Sequence, residues 1–261
     1  MDEVRARRET LFDRNVTECP GLDLRTEHQL VILEEMAQFY HEAPFGDAPV
    51  NGCRYYYQNT FFPPGDAIVL YAMLRRLRPK KVIEVGSGFS SAVMLDTNEK
   101  FLQDEINLTF IDPYPNRLLQ LLSDADQRRH KVVKQTVQQV PLKEFEALAA
   151  GDVLFIDSSH VVKIGSDVRH LLWEVIPRLP AGVTIHFHDI LWPFEYPQEW
   201  VLAGNAWNEA YFVRTFLQYN SAFQIEYFNS YMAHAHEQAL RERMPLCLPR
   251  SGGSLWLEKV A

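Results

Sequence analysis

The residues able to do chemistry fall in four short stretches: Glu84-x-Gly86-x-Gly88, Asp112-Pro113, Asp157-Ser158-Ser159-His160 and His186-Phe187-His188-Asp189. Glycine lacks a Cβ, so the turn at Gly86 and Gly88 can take positive φ and let a ligand lie against backbone N–H groups at a helix N-terminus. Glu84, two residues before Gly86, would turn a carboxylate toward that ligand. A pyrophosphate there would meet a like charge at an effective cost of about a few kcal/mol, whereas a ligand carrying an ammonium and a sulfonium would be attracted. Asp112 lies 24 residues beyond Gly88, a spacing at which an acid accepts bonds from the hydroxyls of an adenosine ribose. A plainer role for Asp112 is to cap the turn before Pro113.

These stretches all stand at the ends of apolar runs. Val82-Ile83-Glu84-Val85 reads as a buried parallel strand that stops at the glycines, and Ser90 to about Asn98 as the helix after it. Leu108–Ile111 ends at Asp112, residues 132–137 form a third strand, 152–156 ends at Asp157 and 182–187 at His188-Asp189, with helical patterns over 142–149 and from Ser166. Repeated βα units predict a parallel sheet covered on both faces, with its ligand crevice at the carboxyl ends of the strands. The tail predicts a helix over 206–219, a strand over 224–228, a helix over 231–243 and a last strand over 254–259, the two strands forming an antiparallel extension at one edge.

Upstream, Thr26-x-x-Gln29 has the pattern of a capping box, and Leu30, Leu33, Met36, Ala37 and Tyr40 follow at helical spacing. Asn51–Gly65 is dense in aromatic residues; Tyr55, Tyr56, Tyr57, Phe61 and Phe62 are expected to form a lid over a pocket, or to fill the core. Asp66 then caps a helix ending at Arg78-Pro79. The division expected is residues 1–60 as an N-terminal helical cap with the aromatic lid, and residues 61–261 as the ligand-binding domain. Trp192–Pro197, stiffened by two prolines, is expected to wall a flat acceptor or cover an edge.

With 261 residues and 47% hydrophobic content, the chain suffices for one large α/β domain with an added segment. A net charge of −8 opposes the basic footprint of a nucleic-acid binder and favours small-molecule partners. The charged N-terminus and the lack of any long apolar run predict neither secretion nor membrane insertion. Three cysteines without C-x-x-C pairing predict neither a disulfide framework nor structural zinc, with reduced cytoplasm as the compartment.

The ordered set Glu84-x-Gly86-x-Gly88, Asp112, Asp157 and His188-Asp189 resembles a class I S-adenosylmethionine-dependent methyltransferase over roughly residues 60–260. The resemblance implies a Rossmann-like seven-stranded sheet with helices on both faces and an N-terminal helical cap. It also implies that Glu84 holds the methionine ammonium, that Gly86, Gly88 and Ser90 line the amino-acid portion, that Asp112 binds the ribose and Gln138 the adenine, and that Asp157 borders the donor. Within that class the chain resembles the bacterial O-methyltransferases of catechols and macrolide sugars, which implies a divalent metal on Asp157, His188 and Asp189. A histidine among the ligands suits Mn²⁺, Fe²⁺ or Zn²⁺ better than Mg²⁺; without metal, His188 would act as a base beside Asp189. His160 stands where the catechol enzymes carry a catalytic lysine, and with an ordinary pKa near ~6.5 it can accept a hydroxyl proton at neutral pH or simply cap the next turn. The function implied is methyl transfer to a small-molecule acceptor, most simply at a hydroxyl. An NAD-dependent oxidoreductase is disfavoured by Glu84 and by Ser91 in place of a third glycine, and a donor-binding protein without turnover by the histidines. The acceptor's identity and the oligomeric state are not legible.

Overall fold

Strands covered by helices on both faces must be apolar on both faces, and the three central runs here are. In the computed structural model, which describes residues 1–50 and 52–261, they form the middle of a seven-stranded sheet. Asn51, the first residue of the aromatic segment, lies outside the described residues.

The chain enters through α1 (Asp2–Ala6) and α2 (Arg8–Leu11), which bury no residue, and then α3 (Thr26–Tyr40). The capping box expected at Thr26 does not form. Gln29 is buried and spans the junction to the sheet instead, donating to Leu24 O at 2.5 Å and accepting from Phe228 N at 2.8 Å, while Thr26 pairs with the Tyr231 hydroxyl. Next comes α4 (Pro64–Leu77), which begins two residues before Asp66 and ends where Arg78 turns left-handed (φ +47°) ahead of Pro79. Asp66 therefore does not cap it.

The alternating part runs β1 (Lys81–Val85), α5 (Phe89–Phe101), β2 (Asn107–Ile111), α6 (Asn116–Leu121), α7 (Asp124–Arg129), β3 (Lys131–Val133), α8 (Leu142–Glu146), β4 (Val153–Ile156), α9 (Asp167–His170) and β5 (Thr184–Phe187). A π turn (Leu171–Val175) and a 3₁₀ turn (Ile176–Arg178) extend α9. After α10 (Gln198–Leu202) and α11 (Glu209–Leu217) come β6 (Phe223–Phe228), α12 (Asn229–Ala235), α13 (Glu237–Arg243) and β7 (Leu255–Lys259). The sheet order is β3-β2-β1-β4-β5-β7-β6. β7 is inserted between β5 and β6 and runs antiparallel to both, so only the last strand is reversed rather than the last two.

Register brings the chemical residues to one level. Val85 pairs with Ile111 and Ile156, and Ile156 pairs with Phe187. The ladder then runs one step further: Gly86 N donates to Ile111 O (2.9 Å), Asp157 N to Val85 O (2.8 Å) and His188 N to Ile156 O (2.8 Å). Gly86, Asp112, Asp157 and His188 thus leave the sheet together. Their shared ledge is built by strand pairing alone.

One continuous apolar core packs α3, α4 and α5 against the sheet, and most of the expected aromatic lid belongs to it. Tyr55, Tyr57 and Phe62 are buried, with Tyr55 donating to Phe62 O at 2.8 Å; of the segment's five rings, Phe61 is the exposed one. The segment is held down by Arg54, whose guanidinium reaches Asp96, Glu99 and Asp126 at 2.8 to 3.0 Å. No helix among the described residues is long and apolar enough to cross a membrane.

Candidate active site

Two cavities open above the ledge. The first, about 470 Å³, lies over the ends of β1, β2 and β4 and is lined by Gly86, Asp112, Gln138, Asp157, Ser158 and Lys163 among others. The second, about 880 Å³, lies over β5 and is lined by Asp189, Phe12, Phe61, Trp200, Trp207 and Arg250 among others. Both volumes are in the range of small-molecule pockets.

Gly86 is required where it stands. Its φ is +84°, and a Cβ there would lie 1.9 Å from the Asp157 carbonyl oxygen. Asp112 is held by its own turn: Oδ2 accepts from Ser87 N (3.1 Å) and Oγ (2.7 Å), and Oδ1 accepts from Tyr114 N (2.7 Å). Gln138 reaches the first cavity from a 3₁₀ turn and donates to Gly165 O at 2.8 Å.

Glu84 departs from the sequence reading. Its side chain is fully buried and does not line the cavity; the hydroxyls of Ser90 and Ser91 donate to its two carboxylate oxygens, the first at 2.5 Å. Ser91 Oγ in turn accepts from Gly88 N (3.0 Å). Glu84, Gly88 and Ser90 therefore brace the glycine turn from beneath, because a strand residue two before the turn points into the sheet's covered face. Burial pushes the Glu84 carboxyl up to about 8 against the pull of the two serine hydroxyls, with Asp157 and Asp112 adding to the rise.

Between the cavities stands His160. Its backbone is left-handed (φ +58°), and its Nε2 lies 3.5 Å from Asp157 Oδ1 on the first cavity and 3.5 Å from Asp189 Oδ2 on the second. Nδ1 is 2.8 Å from Glu209 Oε2, which also accepts from Ser158 Oγ at 2.9 Å. Burial works against a charge on the ring, but the carboxylates of Asp157 and Glu209 override it and hold the pKa well above the usual histidine value. The expectation of a base with an ordinary pKa is thereby corrected.

His188 is buried at the ledge, with Nδ1 3.9 Å from Asp66 Oδ2 and Nε2 3.6 Å from Asp189 Oδ1. Burial opposes its charge and Asp189, Asp157 and Asp66 favour it, with a net rise. Asp66, expected to cap α4, accepts instead from Gly253 N (3.1 Å) and from Ser254 N (3.0 Å) and Oγ (2.6 Å), so it ties the loop before β7 to the floor of the site. His186 stacks on Phe155 at 3.7 Å and pairs with Ser254 Oγ, well inside the core. Of the expected metal set, Asp157 and Asp189 each lie 3.5 Å from His160 Nε2 and His188 Nε2 lies 3.6 Å from Asp189; among the described residues no three His, Cys, Asp or Glu side chains are grouped to hold an ion.

Sequence spacing gave no signal for Asp66 or Glu209 as site residues, since each reaches the ledge from an element far away in the chain. The only local hint for Glu209 is its place at the start of a helix, where a carboxylate is favoured.

A family model described as a methyltransferase domain matches residues 83–190, which span β1 through the end of β5. An uncharacterized protein of Archaeoglobus fulgidus is 36% identical over 151 residues, covering 57% of this chain and 68% of its own length. Residues 83–190 carry a methyltransferase domain. In fold, this methyltransferase is also similar to the S-adenosylhomocysteine-bound methyltransferase of Podospora anserina (14% identity, TM-score 0.46, 100% of this chain and 95% of that one). A second likeness is to the tomaymycin-synthesis O-methyltransferase of Streptomyces achromogenes, in complex with S-adenosylmethionine (13% identity, TM-score 0.45, 99% and 96%).

Proposed function

We propose that this methyltransferase carries a methyl group from S-adenosylmethionine in the first cavity to a hydroxyl oxygen of a small acceptor in the second. The observation that carries this reading is the single imidazole between two carboxylates that border different cavities, with Nε2 3.5 Å from each. The residues around the first cavity fit the donor. Asp112 and Asp157 offer carboxylates to a ligand that is cationic and bears ribose hydroxyls, and Gln138 offers an amide to its base. When bound, S-adenosylmethionine supplies an electrophilic methyl on a sulfonium.

The chain's part is alignment, exclusion of water and removal of one proton. As the acceptor oxygen forms its bond to carbon, the carbon–sulfur bond breaks with its electron pair left on sulfur. The hydroxyl proton passes to His160 Nε2. Asp189 orients the hydroxyl from the acceptor side, and Asp157 balances the sulfonium charge from the other. The indoles of Trp200 and Trp207, edge to face at 5.2 Å, together with the exposed ring of Phe61, suit a flat, partly apolar acceptor.

The test is methyl transfer from labelled S-adenosylmethionine to a panel of hydroxylated small molecules, with the methylated atom assigned by mass spectrometry and NMR. O-methyl products are expected, lost in His160→Gln while calorimetry still detects donor binding. Methylation confined to nitrogen or carbon acceptors would sink the hydroxyl reading.

A further inference from the structure

The structure assigns Glu209 as the positioning residue that aims His160 into the partition between the two cavities. This assignment rests on the proposed transfer across that partition. Its first ground is geometric. Glu209 is the first residue of α11, it is 1% exposed, and one oxygen of its carboxylate holds both His160 Nδ1 and Ser158 Oγ. The other oxygen has no hydrogen-bond partner among the described residues.

The backbone repeats the same attachment. Asn208 N and Glu209 N both donate to His160 O, at 2.9 and 3.2 Å, and Asn208 Oδ1 accepts from Val162 N at 2.6 Å. Trp207 lies over the imidazole with ring centroids 4.7 Å apart. The start of α11 thus grips the loop after β4 on three sides of one histidine. That loop needs the grip, since His160 occupies a left-handed conformation that a non-glycine residue leaves readily unless its surroundings fix it.

A carboxylate is a costly choice for a purely structural clamp. Burying a charge is unfavourable unless it is paired, and an amide of the same shape would accept the same bonds at lower cost. What the carboxylate adds is selection of the nitrogen. Of two ring nitrogens that face carboxylates, the one at hydrogen-bond distance holds its hydrogen more tightly, so Nδ1–H donates to Glu209 at 2.8 Å and the exchangeable position falls on Nε2, 3.5 Å from Asp157 and Asp189. Glu209 touches neither cavity; it acts only through His160.

Long-range nitrogen–proton NMR on the wild-type protein, followed at a pH where His160 is neutral, should show the hydrogen on Nδ1. In Glu209→Gln that preference should weaken, kcat should fall by about 10²-fold, the lower end of what a mispositioned general base costs, and donor affinity by calorimetry should stay within about threefold of wild type. Glu209→Ala should lose at least as much in kcat. Were that variant to unfold, the wild-type tautomer and the Gln variant would still decide. A neutral His160 with its hydrogen on Nε2 in the wild type overturns the assignment, as does a folded Glu209→Gln with wild-type kcat. Failure of every hydroxyl acceptor would instead overturn the proposed reaction and leave the tautomer result standing.

Discussion

Three carboxylates around one imidazole make His160 a tenacious holder of its proton. Since the folded pKa is raised above the usual 6.5, the ring is cationic below it and the lone pair needed for proton removal appears only as pH climbs through it. The rate of methyl transfer should therefore rise with pH from 6 toward 9, by about tenfold per unit while the ring is mostly protonated. A rate that falls over that range would contradict the role. Stability runs the other way: the His160 charge pairs contribute fully below the unfolded value and are lost as pH rises through the folded one. Glu84 adds to the same trend. Its folded pKa of about 8 exceeds its unfolded value, so the fold binds this proton more tightly than the unfolded chain, and stability declines between about pH 4.5 and 8. Glu84→Gln should flatten that part of the Tm-versus-pH curve and raise Tm at pH 8 relative to wild type; a steeper decline would mean the carboxylate is ionised in the fold. The identities of His160, Asp157 and Asp189 were legible because each follows an apolar strand. The charge on His160 was not, because it depends in part on Glu209, which no local pattern connects to it.

Among the elements, the strands were the most readable, since buried parallel strands are apolar on both faces and end at polar turns. Helix ends were less so. Gln29 completes a sequence-perfect capping box yet serves β6 instead, because a buried amide must satisfy its polar atoms wherever it is buried. The long helix expected over 231–243 is two helices that meet at His236, and the third strand ends at Val133, opposite Ile111, the last residue of β2. Aromatic density in residues 51–65 leaves a lid and a core filling both open, because ring content cannot distinguish a cover from a core; Tyr55, Tyr57 and Phe62 are core. What fixes the segment is Arg54. Removing it leaves the buried Asp96 without its cation, held only by the backbone N–H groups of residue 54 and Tyr55, so Arg54→Met should cost about 3 kcal/mol in a denaturant titration; a cost below about 1 kcal/mol would show that the segment is held by its rings and backbone alone. At the glycine turn, Gly86→Ala should destabilise the protein by more than about 2 kcal/mol and abolish donor binding, because the added methyl meets the Asp157 backbone as well as an unfavourable φ.

For the molecule as a whole, exhaustive chelation verified by elemental analysis tests the proton's destination: with His160 as the acceptor, turnover should stay within about twofold of the untreated enzyme. Loss of turnover restored by Mn²⁺ or Fe²⁺ would restore the divalent-ion reading. The sheet class, its seven strands and their ligand edge followed from the repeat of strands and helices, whereas the two-cavity layout did not, since it depends on where loops distant in sequence come to rest.

The place of β7 inside the sheet has a consequence for how the enzyme is made. Every strand it touches is synthesised before it, yet β5 and β6 cannot join until Leu255–Lys259 slides between them. The same event delivers Gly253 and Ser254 to Asp66. A ribosome that has not yet released this strand carries a chain with its donor cavity drawn out in β1, β2 and β4 but its acceptor side unfinished. Nascent chains arrested before Leu255 should remain open to protease around β6 and transfer no methyl group, so the enzyme cannot consume its methyl donor until that last strand has left the exit tunnel.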